Sequence, residues 1–152
     1  MRPLRIFEEF AKEGIARKVS PDMARARHLI HESEKRERFI RSAFEKLGIS
    51  DDNANCFIEN CFDALIELIR ARSIADGFNC SGEGAHEAEV AYMRKLGFSE
   101  KDTRIMNELR YFRNGVTYYG KEFDKEQAEK MFDFMKKMYP LLKSKAEAVV
   151  NK

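Results

Sequence analysis

Apolar residues recur at spacings of three and four along most of this chain, and the pattern divides it into helices. Leu4, Phe7 and Phe10–Ala11 share one side of a short leading stretch, Leu4–Lys12, which Gly14 closes. A start signal follows, with Ser20 as N-cap, Pro21 at the first helical position and Asp22 in the first turn. From it runs a stripe of Met23, Leu29–Ile30, Phe39–Ile40, Ala43–Phe44 and Leu47, stopped by Gly48. Asp51 or Asp52 is placed to cap a second long helix. Its stripe is Phe57–Ile58, Cys61, Ala64–Leu65 and Leu68–Ile69, with Arg72 at its edge, and it ends at Gly77.

Glycines make "GFNCSGEG" (77–84) a loop. A short helix follows, carrying Val90–Ala91 and Met93, and Gly97 closes it. Ser99 and Asp102 have the spacing of a capping box, opening a helix with Ile105–Met106, Leu109, Phe112 and Val116 inward. Asp124 and Gln127 repeat the signal. The last stripe is Ala128, Met131–Phe132, Met135, Met138–Tyr139 and Leu142, and Pro140 is expected to kink or shorten its helix. No segment alternates with period two for long enough to be a strand. The pattern predicts an all-α fold, an up-and-down helical bundle of four main helices plus short extra helices. One domain is expected, with a leading helix over 1–13, the bundle over 14–143 and a tail over 144–152.

Charge changes this picture little. With 28 basic and 26 acidic residues the net charge is +2, too small for a protein held to nucleic acid by charge alone. Cys56, Cys61 and Cys80 form no CxxC pair, and an odd count without a secretory signal points to reduced thiols and a cytoplasmic setting. No apolar run approaches the roughly 18–20 residues of a membrane span.

Candidate chemistry concentrates in "RNGVTYYG" (113–120). Arg110, Arg113 and Thr117 lie at i, i+3, i+7 on one face; Asn114 and Tyr118 lie on the next. Arginine offers a planar fork of donors suited to phosphate, and Asn and Tyr add further donors and acceptors. Gly115 within the helix costs about 1 kcal/mol against Ala, which suits a close backbone approach. The cluster would serve a phosphodiester. The same residues also read as a helix end, with Gly120 as C-cap, tyrosines as rim packing and Arg113 paired to Glu108 or Asp124.

The stretches "VSPDMARARHLIHESEKRERFIRSA", "DDNANCFIENCFDALIELIRA", "GEGAHEAEVAYMRKLGFSE" and above all "LRYFRNGVTYYG" resemble the HEPN superfamily in its archaeal type, over residues 13–143. The resemblance implies a helical bundle that forms a homodimer. It also implies a signature of Arg, a polar residue, and a His after four to six residues, which in active members is a metal-independent endoribonuclease site. Members are often toxins paired with a minimal nucleotidyltransferase antitoxin. Arg113 matches the signature arginine and Asn114 the polar residue. Tyr118 stands where the histidine is expected, and a phenol, with a pKa near 10, is a poor general base. The residues taken as catalytic are therefore Arg113, Asn114 and Tyr118, with His86 as a histidine that could replace the missing one in space. Arg110, Arg113, Thr117 and Tyr119 are taken to bind RNA or nucleotide phosphate. In some paired members a tyrosine two residues beyond the histidine is nucleotidylated. Here that position is Gly120, and Tyr119 is one residue early.

The Arg25-to-His31 spacing also fits the signature but sits on the wrong helix. His28 and His31, among alternating charges, read as a solvated face. Glu83-x-x-His86 is a single copy of a di-iron element that needs two, so no metal and no cofactor is expected. Met131, Met135 and Met138 read as core, although methionine also suits adaptable interfaces. Two functions follow: an RNA- or nucleotide-phosphate-binding domain without efficient catalysis, toxin-like and opposed by a nucleotidyltransferase, or a non-catalytic dimeric interaction module.

Overall fold

A computed structural model describes residues 1–151. The elements in chain order are α1 (Phe7–Lys12), β1 (Ala16–Lys18), α2 (Met23–Leu47), α3 (Ala54–Ala75), β2 (Phe78–Cys80), α4 (Ala85–Ala91), a 3-10 turn (Tyr92–Leu96), α5 (Glu100–Tyr119) and α6 (Lys125–Val150). The chain forms an all-α bundle of about six helices in an up-and-down arrangement, its four long members being α2, α3, α5 and α6.

α3 is the central helix. Phe57, Ile58, Cys61, Phe62, Leu65, Leu68 and Ile69 are all buried, so α3 is covered on several sides. α2 and α6 pack along it, and α5 packs over a shorter stretch. Ser33 explains one close approach: fully buried in α2, its hydroxyl donates to the Ala64 carbonyl at 2.6 Å. Met131, Met135 and Met138 of α6 are fully buried, so this stripe is core and not a free interface.

Several local expectations change. Asp22, not Ser20, caps α2, accepting from the Arg25 N–H, so Pro21 lies outside the helix. Neither Asp51 nor Asp52 caps α3. Asn53 holds the N-cap position while its amide oxygen accepts from the Ser50 N–H, and Asp51 accepts from the Lys125 N–H. Residues 77–84 are not all loop: Phe78–Cys80 pairs antiparallel with Ala16–Lys18, Ala16 opposite Cys80. The helix expected before Gly97 divides into α4 and the 3-10 turn.

Pro140 neither ends α6 nor shortens it. The residues expected as a tail continue the helix to Val150, because Leu142, Ala146 and Val150 are buried against the bundle. Burying side chains of that size, at about 1.5–3 kcal/mol each for the larger ones, outweighs the roughly 3 kcal/mol of an interior proline. The stripe of α2 is corrected too. Phe39, Phe44 and Leu47 are 61%, 41% and 76% exposed, so the C-terminal half of α2 presents apolar side chains to solvent. Among the described residues no helix is long and apolar enough to cross a membrane.

Candidate functional site

α5 is set by its ends. Ser99 accepts from the Asp102 N–H, and Gly120, at φ 62°, turns the chain in the left-handed conformation that favours glycine. The turn folds back on Gly115, whose carbonyl accepts from the Lys121 N–H at 3.0 Å. A Cβ on Gly115 would lie 3.1 Å from Lys121 Cδ and 3.4 Å from the Phe123 ring, the close approach that a glycine inside a helix suggested. Asn55 of α3 pins the same turn, donating to the Lys121 carbonyl and accepting from the Phe123 N–H.

This frame aims Arg113 inward. Its side chain, 20% exposed, continues the stripe of Met106 and Leu109 toward α3. The guanidinium sits 5.7 Å from the centre of the Phe62 ring, and Nη2 lies 3.7 Å from Asp63 Oδ1. Nε is buried and has no hydrogen-bond partner. Arg113 therefore pairs with neither Glu108 nor Asp124: Glu108 takes Lys130, and Asp124 caps α6 in a full capping box with Gln127.

Asp63 belongs to a polar stripe on α3 at Asn60, Asp63, Glu67 and Arg70, spaced three, four and three. Arg36 of α2 crosses it, with Nε 2.7 Å from Glu67 Oε1, Nη1 3.2 Å from Asn60 Oδ1, and Nη1 3.8 Å from Asp63. Burial pushes the Glu67 carboxyl up despite the opposing pull of Arg36. Further along, Arg70 grips Glu89 of α4 through two nitrogens, at 2.6 and 3.1 Å. Burial works against the Arg70 charge, but Glu89 outweighs it and holds the guanidinium above its ordinary value. Glu89 is 1% exposed, and its Oε1 also lies 2.9 Å from His86 Nδ1, which leaves Nε2 as the other nitrogen of that ring. The His86 ring meets the Phe62 ring edge-on at 5.4 Å.

The candidate residues thus do not form one cluster. Arg113 and His86 both lean on Phe62, with no hydrogen bond between them. Tyr118 and Tyr119, 68% and 76% exposed, lie on the outer surface of the last turn of α5. Five residues of helix place Tyr118 about 140° around the axis from Arg113, so the two do not share a cleft within one chain. Asn114 is half-buried and Thr117 exposed. Arg110 is engaged elsewhere: Nε donates to Asn107 Oδ1 at 2.9 Å, and its guanidinium covers Tyr111.

His28 and His31 are exposed, as a solvated face requires. Arg36, Asp63, Glu67, Arg70 and Glu89 were not singled out from the sequence. The available signal was the polar stripe at helical spacing inside the otherwise apolar α3. Chemically the cluster alternates guanidinium and carboxylate groups. Its one loosely held cation is Arg113, whose weak ion pair and unused buried donor suit exchange of Asp63 for an incoming oxyanion. Among the described residues no three His, Cys, Asp or Glu side chains gather as a metal site would require.

No family model matches the chain, and no curated protein matches it significantly.

Proposed function

We propose that this chain is a HEPN-like domain that recognises RNA or nucleotide phosphate through Arg113 and does not cleave efficiently. The observation that carries the reading is the state of Arg113: a half-enclosed guanidinium with a buried, unpartnered Nε and a single long ion pair to Asp63. A phosphate oxygen supplies what the protein leaves unmade. Asn114, next to Arg113, would help orient the phosphate. Tyr118, turned away from Arg113, offers only a hydrogen bond at the edge of the site, or in the cleft of a dimer. Were cleavage to occur, the ribose 2′-hydroxyl would attack phosphorus and expel the 5′-oxygen, and Arg113 would stabilise the phosphorane charge. The role of a toxin-like half opposed by a nucleotidyltransferase belongs to the same proposal.

Filter binding of mixed RNA, and of a mononucleotide, to wild type and Arg113→Ala tests the reading. A loss of at least tenfold in affinity with unchanged thermal unfolding is expected; equal binding by the two proteins overturns it.

A second reading, a dimeric interaction module, is favoured by a different observation. Phe39 and Leu47 stand exposed beside an apolar hollow of about 220 Å³ lined by Ala43, Cys56 and Phe57. Exposed apolar surface of this kind commonly marks a contact site. Phe39→Glu with Leu47→Glu would abolish self-association, read by light scattering, without loss of stability.

A further inference from the structure

A cavity of about 310 Å³ lies between the first residues of the chain and the N-terminal half of α5, away from the Arg113 cluster. Its wall includes Arg2, Leu4, Arg94, Glu100, Arg104 and Asn107. The arm over it is fixed, because Arg94 donates to the backbone carbonyls of Leu4 and Arg5 at 3.0 and 2.8 Å. Arg94 also grips Glu100 at 2.7 and 3.2 Å, so that carboxylate neutralises Arg94 at the rim. Arg2 and Arg104 form no close ion pair among the described residues, although Glu100, one turn before Arg104, also feels its charge.

The floor carries a second observation. Asn107 is 2% exposed, and its Oδ1 accepts from Arg110 Nε at 2.9 Å. A guanidinium can only donate, so this contact fixes which end of the amide is oxygen. The NH₂ end is then the one left for the cavity, and it has no acceptor among the described residues. A buried amide with idle donors below two guanidinium groups without a close ion pair is an anion site in its chemistry.

We propose that this cavity binds a small phosphate monoester. Three donor groups line it, Arg2, Arg104 and Asn107, more than the planar pair of oxygens on a carboxylate needs and enough for a tetrahedral oxyanion. The volume is at the small end of ligand sites and fits one sugar-sized group, which would rest against Leu4 and Pro3. Arg110 acts here as a positioning residue, holding the Asn107 amide with its donors inward.

Isothermal titration calorimetry with ribose 5-phosphate, inorganic phosphate and ribose tests the site. Saturable one-to-one binding of ribose 5-phosphate, weaker binding of phosphate and none of ribose are expected. Arg104→Ala should weaken ribose 5-phosphate at least tenfold, and Asn107→Leu should do the same if it retains cooperative unfolding. The same losses are expected when these substitutions are made in an Arg113→Ala background, which separates this cavity from the cluster on α3. Absence of saturable heat, ribose binding as well as its phosphate, or wild-type affinity in Arg104→Ala overturns the proposal.

Discussion

Arg113 and Asp63 face each other across the α5–α3 contact at 3.7 Å, too far for a hydrogen bond and near enough to hold each other's charge. Asp63 therefore competes with any anion that approaches Arg113. An exposed or half-exposed pair of this kind contributes about 0–1 kcal/mol. Asp63→Asn should accordingly tighten RNA or nucleotide binding by up to about fivefold, with little change in stability. Binding weakened by Asp63→Asn would show that the carboxylate belongs to the recognition surface and is not its competitor.

The Arg70–Glu89 pair behaves differently because Glu89 is almost wholly enclosed. Arg70→Ala leaves a buried carboxylate with only His86 against it, so a cost near 3 kcal/mol in urea unfolding is expected. Replacing both partners, Arg70→Met with Glu89→Leu, should recover most of that loss. A double variant as unstable as the single one would mean that the pair stabilises the bundle outright.

Glu67 gives stability a pH dependence of its own. Burial raises its carboxyl above the ordinary value of 4.5, so the folded chain holds this proton more tightly than the unfolded chain. The stabilisation is complete below pH 4.5 and is lost as pH rises through the raised value. Relative to Glu67→Gln, which cannot titrate, the wild type should be at its best in acid and lose ground above pH 4.5. Parallel stability curves for the two proteins across that window would contradict the assignment.

The three thiols should separate by burial. Cys56 is exposed, whereas burial holds the Cys61 and Cys80 thiols up to about 12, Glu89 adding to the effect at Cys80. A disulfide reagent at pH 8 should modify one thiol rapidly, and Cys56→Ser should remove that phase. Two fast thiols would show that the β1–β2 region opens readily.

Those features of the fold that depend on bonds a few residues apart were legible in the sequence. The Asp124–Gln127 box, the Ser99 cap, Gly48 and Gly120 each satisfy helix-end groups locally, so residue type and spacing suffice. The two three-residue strands were not legible, being too short for a period and held by pairing across some 60 residues of chain. The shortening expected from Pro140 does not occur, because the burial of Leu142, Ala146 and Val150 beyond it is tertiary. Phe39 and Leu47 depart for the converse reason: their spacing fits a core stripe, but nothing among the described residues covers them. At the site, Arg113 was legible as a candidate, and its partner was not. Asp63 lies fifty residues away, and only the antiparallel packing of α5 on α3 brings them together.

The most direct test of recognition without cleavage is the fate of RNA held at saturation. Mixed RNA incubated in EDTA, at protein concentrations that bind it fully, is predicted to remain intact with wild type and Tyr118→Phe alike. Products with cyclic-phosphate ends that disappear in Arg113→Ala would contradict the account and reveal a nuclease that works without the signature histidine.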